Sequence, residues 1–147
     1  MGLFTQLLIG GGLIALTFII QAFCFDRIIR IAPWIEKQSV RLSKPMWKSI
    51  FFVVIISLIT GVLIIEMWVW ALFYLGIDVM HDVESALYFS TSAFTTVGFG
   101  DIYLDKEWRM VSAIESVNGF LLFGWATAFI WEVVTHIYAK EGKALKK

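Results

Sequence analysis

Charge is scarce in this chain of 147 residues. Only 16% of positions are Asp, Glu, Lys or Arg, and the 12 basic residues balance the 12 acidic ones. A water-soluble domain carries about 25% charged residues, so the composition argues against a soluble enzyme. No basic excess exists to form the positive patch that a nucleic-acid binder needs, so nucleic acid is not a partner. Cysteine is nearly absent. The single Cys24 excludes an internal disulfide framework and a cysteine-based metal cluster. Proline occurs twice, at Pro33 and Pro45, so long stretches contain nothing that breaks a helix. The length allows one domain, and no catalytic constellation is present. An enzyme is not expected, and neither is an organic cofactor.

Apolar residues make up 59% of the chain, and they are concentrated. Residues 3–25 hold no charge, residues 49–75 hold only Glu66, and residues 110–138 hold Glu115, Glu132 and His136. About 20 mostly apolar residues cross the hydrocarbon core of a bilayer. None of the three stretches has a polar face wide enough to meet water, so each reads as a membrane span. The first lacks a basic n-region, and it exceeds the roughly 7–15 apolar residues of a signal-peptide core. It is expected to be a retained helix. Gly10, Gly11 and Gly12 within it either allow close packing on a neighbour or form a soft kink.

The charges orient these spans. Residues 26–48 carry Arg27, Arg30, Lys37, Arg41, Lys44 and Lys48 against Asp26 and Glu36. The tail, 139–147, is also basic, whereas 76–109 carries six acidic residues against Lys106 and Arg109. Basic segments stay in the cytoplasm. The expectation is therefore a multi-pass protein of a plasma or bacterial inner membrane, with its N-terminus outside and its C-terminus cytoplasmic. Trp68, Trp70 and Tyr74 fall at the outer end of the second span, where an aromatic belt belongs. Segment 26–48 reads either as an amphipathic helix at the inner surface or as a solvated basic loop. Pro33 is expected to start one piece of it and Pro45 the second span. Its six basic residues are candidates for anionic lipid, worth about 1 kcal/mol each near the surface.

The acidic outer segment holds a further helix. Residues 83–94 follow Asp82, a suitable N-cap, and place Glu84 in the first turn. Twelve residues reach only about 18 Å, too short to cross, so the helix must enter the membrane and turn back. Such a segment is tolerated where it is buried in protein or lines a water-filled cavity. Thr95-Thr96-Val97-Gly98-Phe99-Gly100-Asp101 follows. Alternating glycines let the backbone alternate between left- and right-handed conformations. The carbonyls can then face one way, as hard oxygen ligands for a dehydrated alkali cation.

This run, with Ser92-Ala93-Phe94 before it, resembles the signature of potassium channels. The resemblance spans roughly residues 46–138. It implies an all-α membrane protein with three transmembrane helices, a re-entrant pore helix and a selectivity-filter loop, assembled as a homotetramer around a central pore. It implies potassium ions held by Thr96, Val97, Gly98, Phe99 and Gly100, with Thr95, Ser92, Asp101, Trp108 and Glu115 supporting the filter. Phe99 replaces the commoner tyrosine, so a ring of bracing hydroxyls is missing and a filter prone to inactivation is expected. Tyr88 and Phe89 stand where many members have tryptophan. Ser92 stands where a carboxylate often pairs with the Asp after the filter, which leaves Trp108 as the candidate partner of Asp101.

Ser116-Val117-Asn118-Gly119 resembles the matching stretch of inward rectifiers, which makes Gly119 a gating hinge. Intramembrane carboxylates usually face the protein interior. Glu115 reads as bonding Ser92 or Thr91 behind the filter, or as facing headgroups. Glu66 is either functional or snorkels to the interface. Asn118 faces the cavity or makes an interhelical bond. Glu132 and His136, one turn apart, read either as a pH-sensitive gate or as an interfacial pair. No span repeats Arg or Lys at every third position, so a voltage sensor is not expected.

The organisation expected is an additional N-terminal helix (1–25), a basic segment (26–48), a pore domain (49–138) and a basic tail (139–147). Within the pore domain lie an outer helix (49–75), a pore helix (83–94), a filter (95–101) and an inner helix (110–138). The function expected is passive potassium conduction. A weakly selective cation channel and a non-conducting subunit of a larger assembly are the alternatives.

Overall fold

The computed structural model describes residues 2–144, with side chains as far as residue 139. The side chains of the basic tail beyond Ala139 lie outside the described residues. Among the described residues four helices account for the fold: α1 (Leu3–Leu42), α2 (Trp47–Gly76), α3 (Val83–Phe94) and α4 (Arg109–Ala144). Three of them, α1, α2 and α4, are long and apolar enough to cross a membrane. The protein is an all-helical, multi-pass membrane protein.

α1 packs along both α2 and α4, and α3 lies against α2 and α4. Gln6 meets Met110, Thr17 meets Asn118 and Gln21 meets Leu122, so α1 and α4 run in the same direction. Three sequential spans require that of the first and third. The core lies where α1, α2 and α4 meet beneath α3. Phe51, Ile55, Ile59, Val62, Glu66, Trp70 and Tyr74 of α2 face it at spacings of three or four residues, joined by Phe25 and Ile28 of α1.

α1 departs from the sequence reading. It continues through Pro33 to Leu42 as one helix of 40 residues, rather than ending near 25 and restarting at Pro33. Its buried stripe explains this. Gln21, Phe25, Ile28, Ile35 and Ser39 recur on one face across the proline, while Pro33 itself is exposed. The ring therefore faces away from the packed side, and the interior contacts on both sides of it are kept. Pro45 stands in the turn before α2, as expected.

The aromatic belt also needs correction. Trp70 and Tyr74 have no exposed surface. The face of α2 that carries them packs inward, so they are core residues and do not meet lipid headgroups.

Candidate functional site

α3 begins and ends where its sequence predicts. Asp82 Oδ1 accepts the Ser85 amide at 2.7 Å, satisfying one of the free donors at the helix start. That backbone hydrogen bond holds the Asp82 carboxyl below the usual carboxylate range. At the other end Thr95 closes the helix: its amide and its hydroxyl both reach the Thr91 carbonyl, at 3.0 and 2.7 Å.

The loop that follows is held from behind by the end of α3. The Thr96 amide donates to the Ala93 carbonyl at 3.0 Å, and the Gly98 amide to the Ser92 carbonyl at 3.1 Å. The Phe99 amide donates to Ser92 Oγ, also at 3.1 Å. Every peptide bond described is trans, and in a trans peptide the carbonyl points opposite to the next residue's amide. The Val97 and Gly98 carbonyls therefore point away from α3. Thr96, Gly98 and Gly100 have φ of 62°, 57° and 76°, alternating with Val97 and Phe99, which do not take the left-handed form. Glycine adopts that conformation freely. A β-branched threonine there is strained by about 1–3 kcal/mol, the kind of cost that persists where surrounding structure over-determines the backbone. Residues 96–100 are all exposed, Val97 by 55% and Phe99 by 66%.

Asp101 finds its partner on α3. Tyr88 donates its hydroxyl to Asp101 Oδ2 at 2.8 Å, and its ring stacks on Phe99 with centroids 5.9 Å apart. Trp108 is not that partner. It packs edge-on against Phe73, whereas Tyr88, Ser92 and Asp101 line one cleft of about 470 Å³.

Glu115 is fully buried, so it faces no headgroups. It bonds neither Ser92 nor Thr91. Its carboxyl meets Ser90 Oγ at 2.6 Å and Tyr74 Oη at 2.7 Å, because the α3 face turned towards α4 at this height is that of Ser90. One turn further along, Gly119 lies against the last carbonyl of α3. A Cβ at this position would overlap the Phe94 carbonyl, so close approach demands glycine here. α4 is helical throughout this stretch.

A family model described as "Ion channel" matches residues 52–136, more than half of the chain. The chain belongs to the ion channel family. Comparison with curated proteins and with solved structures returns no match. The matched region of the channel begins within α2 and takes in α3, the loop after it and most of α4.

α1 lies outside that match, yet it is bound to the channel's last helix. Gln6 Oε1 accepts the Met110 amide at 3.2 Å, Thr17 Oγ1 accepts Asn118 Nδ2 at 2.8 Å, and Gln21 donates to the Leu122 carbonyl at 3.1 Å. Gly10 sits against Ile114, and Phe25 stacks on Phe129 at 4.3 Å. Asn118 is thus an interhelical residue and faces no cavity. Glu66 is buried and does not snorkel, and its carboxyl has no hydrogen-bond partner among the described residues. Glu132 and His136 are both exposed, and no ion pair between them occurs among the described residues.

Sequence reasoning missed Tyr74, Ser90, Gln6, Thr17 and Gln21. The signal for three of them was present. Gln6, Thr17 and Gln21 are polar positions in an otherwise apolar span, and such residues face the protein interior by default.

Proposed function

We propose that the channel assembles as a homotetramer and conducts potassium ions passively through the loop 95–101. The observation that carries this reading is the backbone of that loop. Thr96, Gly98 and Gly100 are left-handed at alternate positions, and the Thr96, Gly98 and Phe99 amides anchored to Ala93 and Ser92 turn the carbonyls before them away from α3. Four such strands around an axis would present rings of carbonyl oxygens in place of a hydration shell. The ion sites are the carbonyls of Thr96, Val97, Gly98 and Phe99, with the Thr96 hydroxyl at the inner end and Gly100 completing the strand.

The exposed apolar face of α4 supports the assembly. Val117 and Phe120 are uncovered in a single chain, on the side away from Glu115 and Asn118, and neighbouring subunits and the pore axis would cover them. The C-terminal end of α3 carries partial negative charge, which favours a cation just inside the filter. Gly119 is the point at which α4 would bend during gating. Glu132 and His136, both exposed, would sit at its inner end. In this reading the acidic segment 76–109 lies outside, and the basic residues of 26–48, Arg27, Arg30, Lys37, Arg41, Lys44 and Lys48, meet anionic lipid on the cytoplasmic side.

Purified protein in liposomes tests the reading. Potassium efflux should exceed sodium efflux, barium should block it, and Gly98→Ala should abolish it. Equal flux in wild type and variant would remove the filter assignment.

A further inference from the structure

Two carboxyl groups, Glu66 and Glu115, lie wholly inside the helical bundle. Only Glu115 sits in a network. Tyr74 Oη lies 2.7 Å from Glu115 Oε2, Ser90 Oγ lies 2.6 Å from Oε1, and the same Ser90 Oγ lies 2.8 Å from the Met67 carbonyl oxygen. Counting protons decides what these contacts are. A serine hydroxyl has one proton to give, and a backbone carbonyl has none. If Ser90 gives its proton to Met67, the 2.6 Å contact with Glu115 needs a proton from the carboxyl. If Ser90 gives it to Glu115 instead, two oxygen lone pairs face each other across 2.8 Å at Met67.

We infer that Glu115 stands as a neutral carboxylic acid that positions α3 between α2 and α4. The chain of donors then runs in one direction, from the Tyr74 hydroxyl to Glu115, from the Glu115 acid to Ser90, and from the Ser90 hydroxyl to the Met67 carbonyl. Each proton is used once and each close contact is a hydrogen bond. Two hydroxyls, and no positive charge among the described residues, face the carboxyl here. Tyr74 is the titratable group that α2 turns to it. Ser90 of α3 is not titratable, and no charged side chain among the described residues of the four helices acts on Glu115. Glu66 lies eight residues from Tyr74, about 12 Å along α2.

The network ties α2 at two heights to α3 and α4. Ser90 stands two residues before Ser92, whose carbonyl and hydroxyl hold the Gly98 and Phe99 amides. Glu115 therefore acts on the loop through α3 and touches no ion itself. This positioning role rests on the filter reading above, whereas the protonation state does not depend on which ion passes.

Infrared difference spectroscopy on the full chain in lipid tests the protonation state. In wild type minus Glu115→Gln at neutral pH, the carbonyl band of a protonated carboxylic acid should be lost in the variant, and carboxylate bands should not change. Glutamine also donates and accepts, so Glu115→Gln should keep cation flux while Glu115→Leu loses it. A difference spectrum made of carboxylate bands would overturn the inference. Equal loss of flux in the glutamine and leucine variants would overturn the positioning role. Ser90→Ala gives a second test should Glu115→Gln not assemble. It removes the acceptor of the acid proton, so the band should move to higher frequency, and an unmoved band would again overturn the inference.

Discussion

Replacing Ser92 by alanine removes one hydroxyl and asks how firmly the loop 95–101 is held. Ser92 is 7% exposed, and its Oγ accepts the Phe99 amide at 3.1 Å. In the variant that amide faces a methyl group. A buried donor left without a partner costs about 1–3 kcal/mol. That bond is only partly buried, and the Gly98 amide keeps its own bond to the Ser92 carbonyl, so the lower end of that range applies, about 1 kcal/mol per subunit. In the proposed tetramer, strands that collapse together lose about 4 kcal/mol. At about 1.4 kcal/mol per tenfold, the ratio of conducting to collapsed filters falls on the order of 10³-fold. Strands that collapse singly shift it only about fivefold. Macroscopic currents from the reconstituted channel report this ratio as the rate and extent of decay. Faster, deeper decay in Ser92→Ala is expected, with tetramer yield unchanged. Currents as steady as those of the wild type would refute the idea that this hydroxyl holds the strand.

Tyr88→Phe keeps the ring on Phe99 but removes the bond to Asp101, so current decay should quicken while ion preference stays; decay indistinguishable from wild type would show that the bond carries no load. Gly119→Ala forces a methyl group against the Phe94 carbonyl, an overpacking worth about 1–3 kcal/mol; an unchanged melting temperature would contradict the close approach. Asp82 has a carboxyl held below its ordinary range by the Ser85 amide, so its stabilisation is whole above about pH 4 and is lost as pH falls through the lowered value. Melting of the wild type should therefore drop more steeply below that pH than melting of Asp82→Asn, and equal slopes would remove the cap from the acid response.

Span count, the short helix 83–94 and the alternating backbone of 96–100 were legible because each rests on local chemistry. Apolar length defines a span, Asp82 defines a helix start, and glycine at 98 and 100 permits φ above zero. What the sequence concealed was pairwise. Tyr74 looked like a belt residue because its position along α2 is at the membrane edge, and only packing shows that its face turns inward to Glu115. Trp108 lost Asp101 to Tyr88 because a tyrosine thirteen residues earlier can reach back from α3. Pro33 suggested a helix start, yet its ring falls on the exposed side of α1, so the buried stripe continues past it. The place of α1 against α4 was written in Gln6, Thr17 and Gln21, but the partners of those residues lie about a hundred positions away.

The central claim is that the loop 95–101 selects potassium. The most direct test is the reversal potential of the purified channel in a planar bilayer, with potassium on one side and sodium on the other, in wild type and in Gly98→Ala. The glycine has φ of 57° and open space around it, so alanine strains the strand by about 1–2 kcal/mol without a steric clash. A wild-type reversal potential set by the potassium gradient, together with loss of current or of selectivity in Gly98→Ala, is the predicted result. A reversal potential near zero in the wild type, or identical selective currents in both proteins, would contradict it.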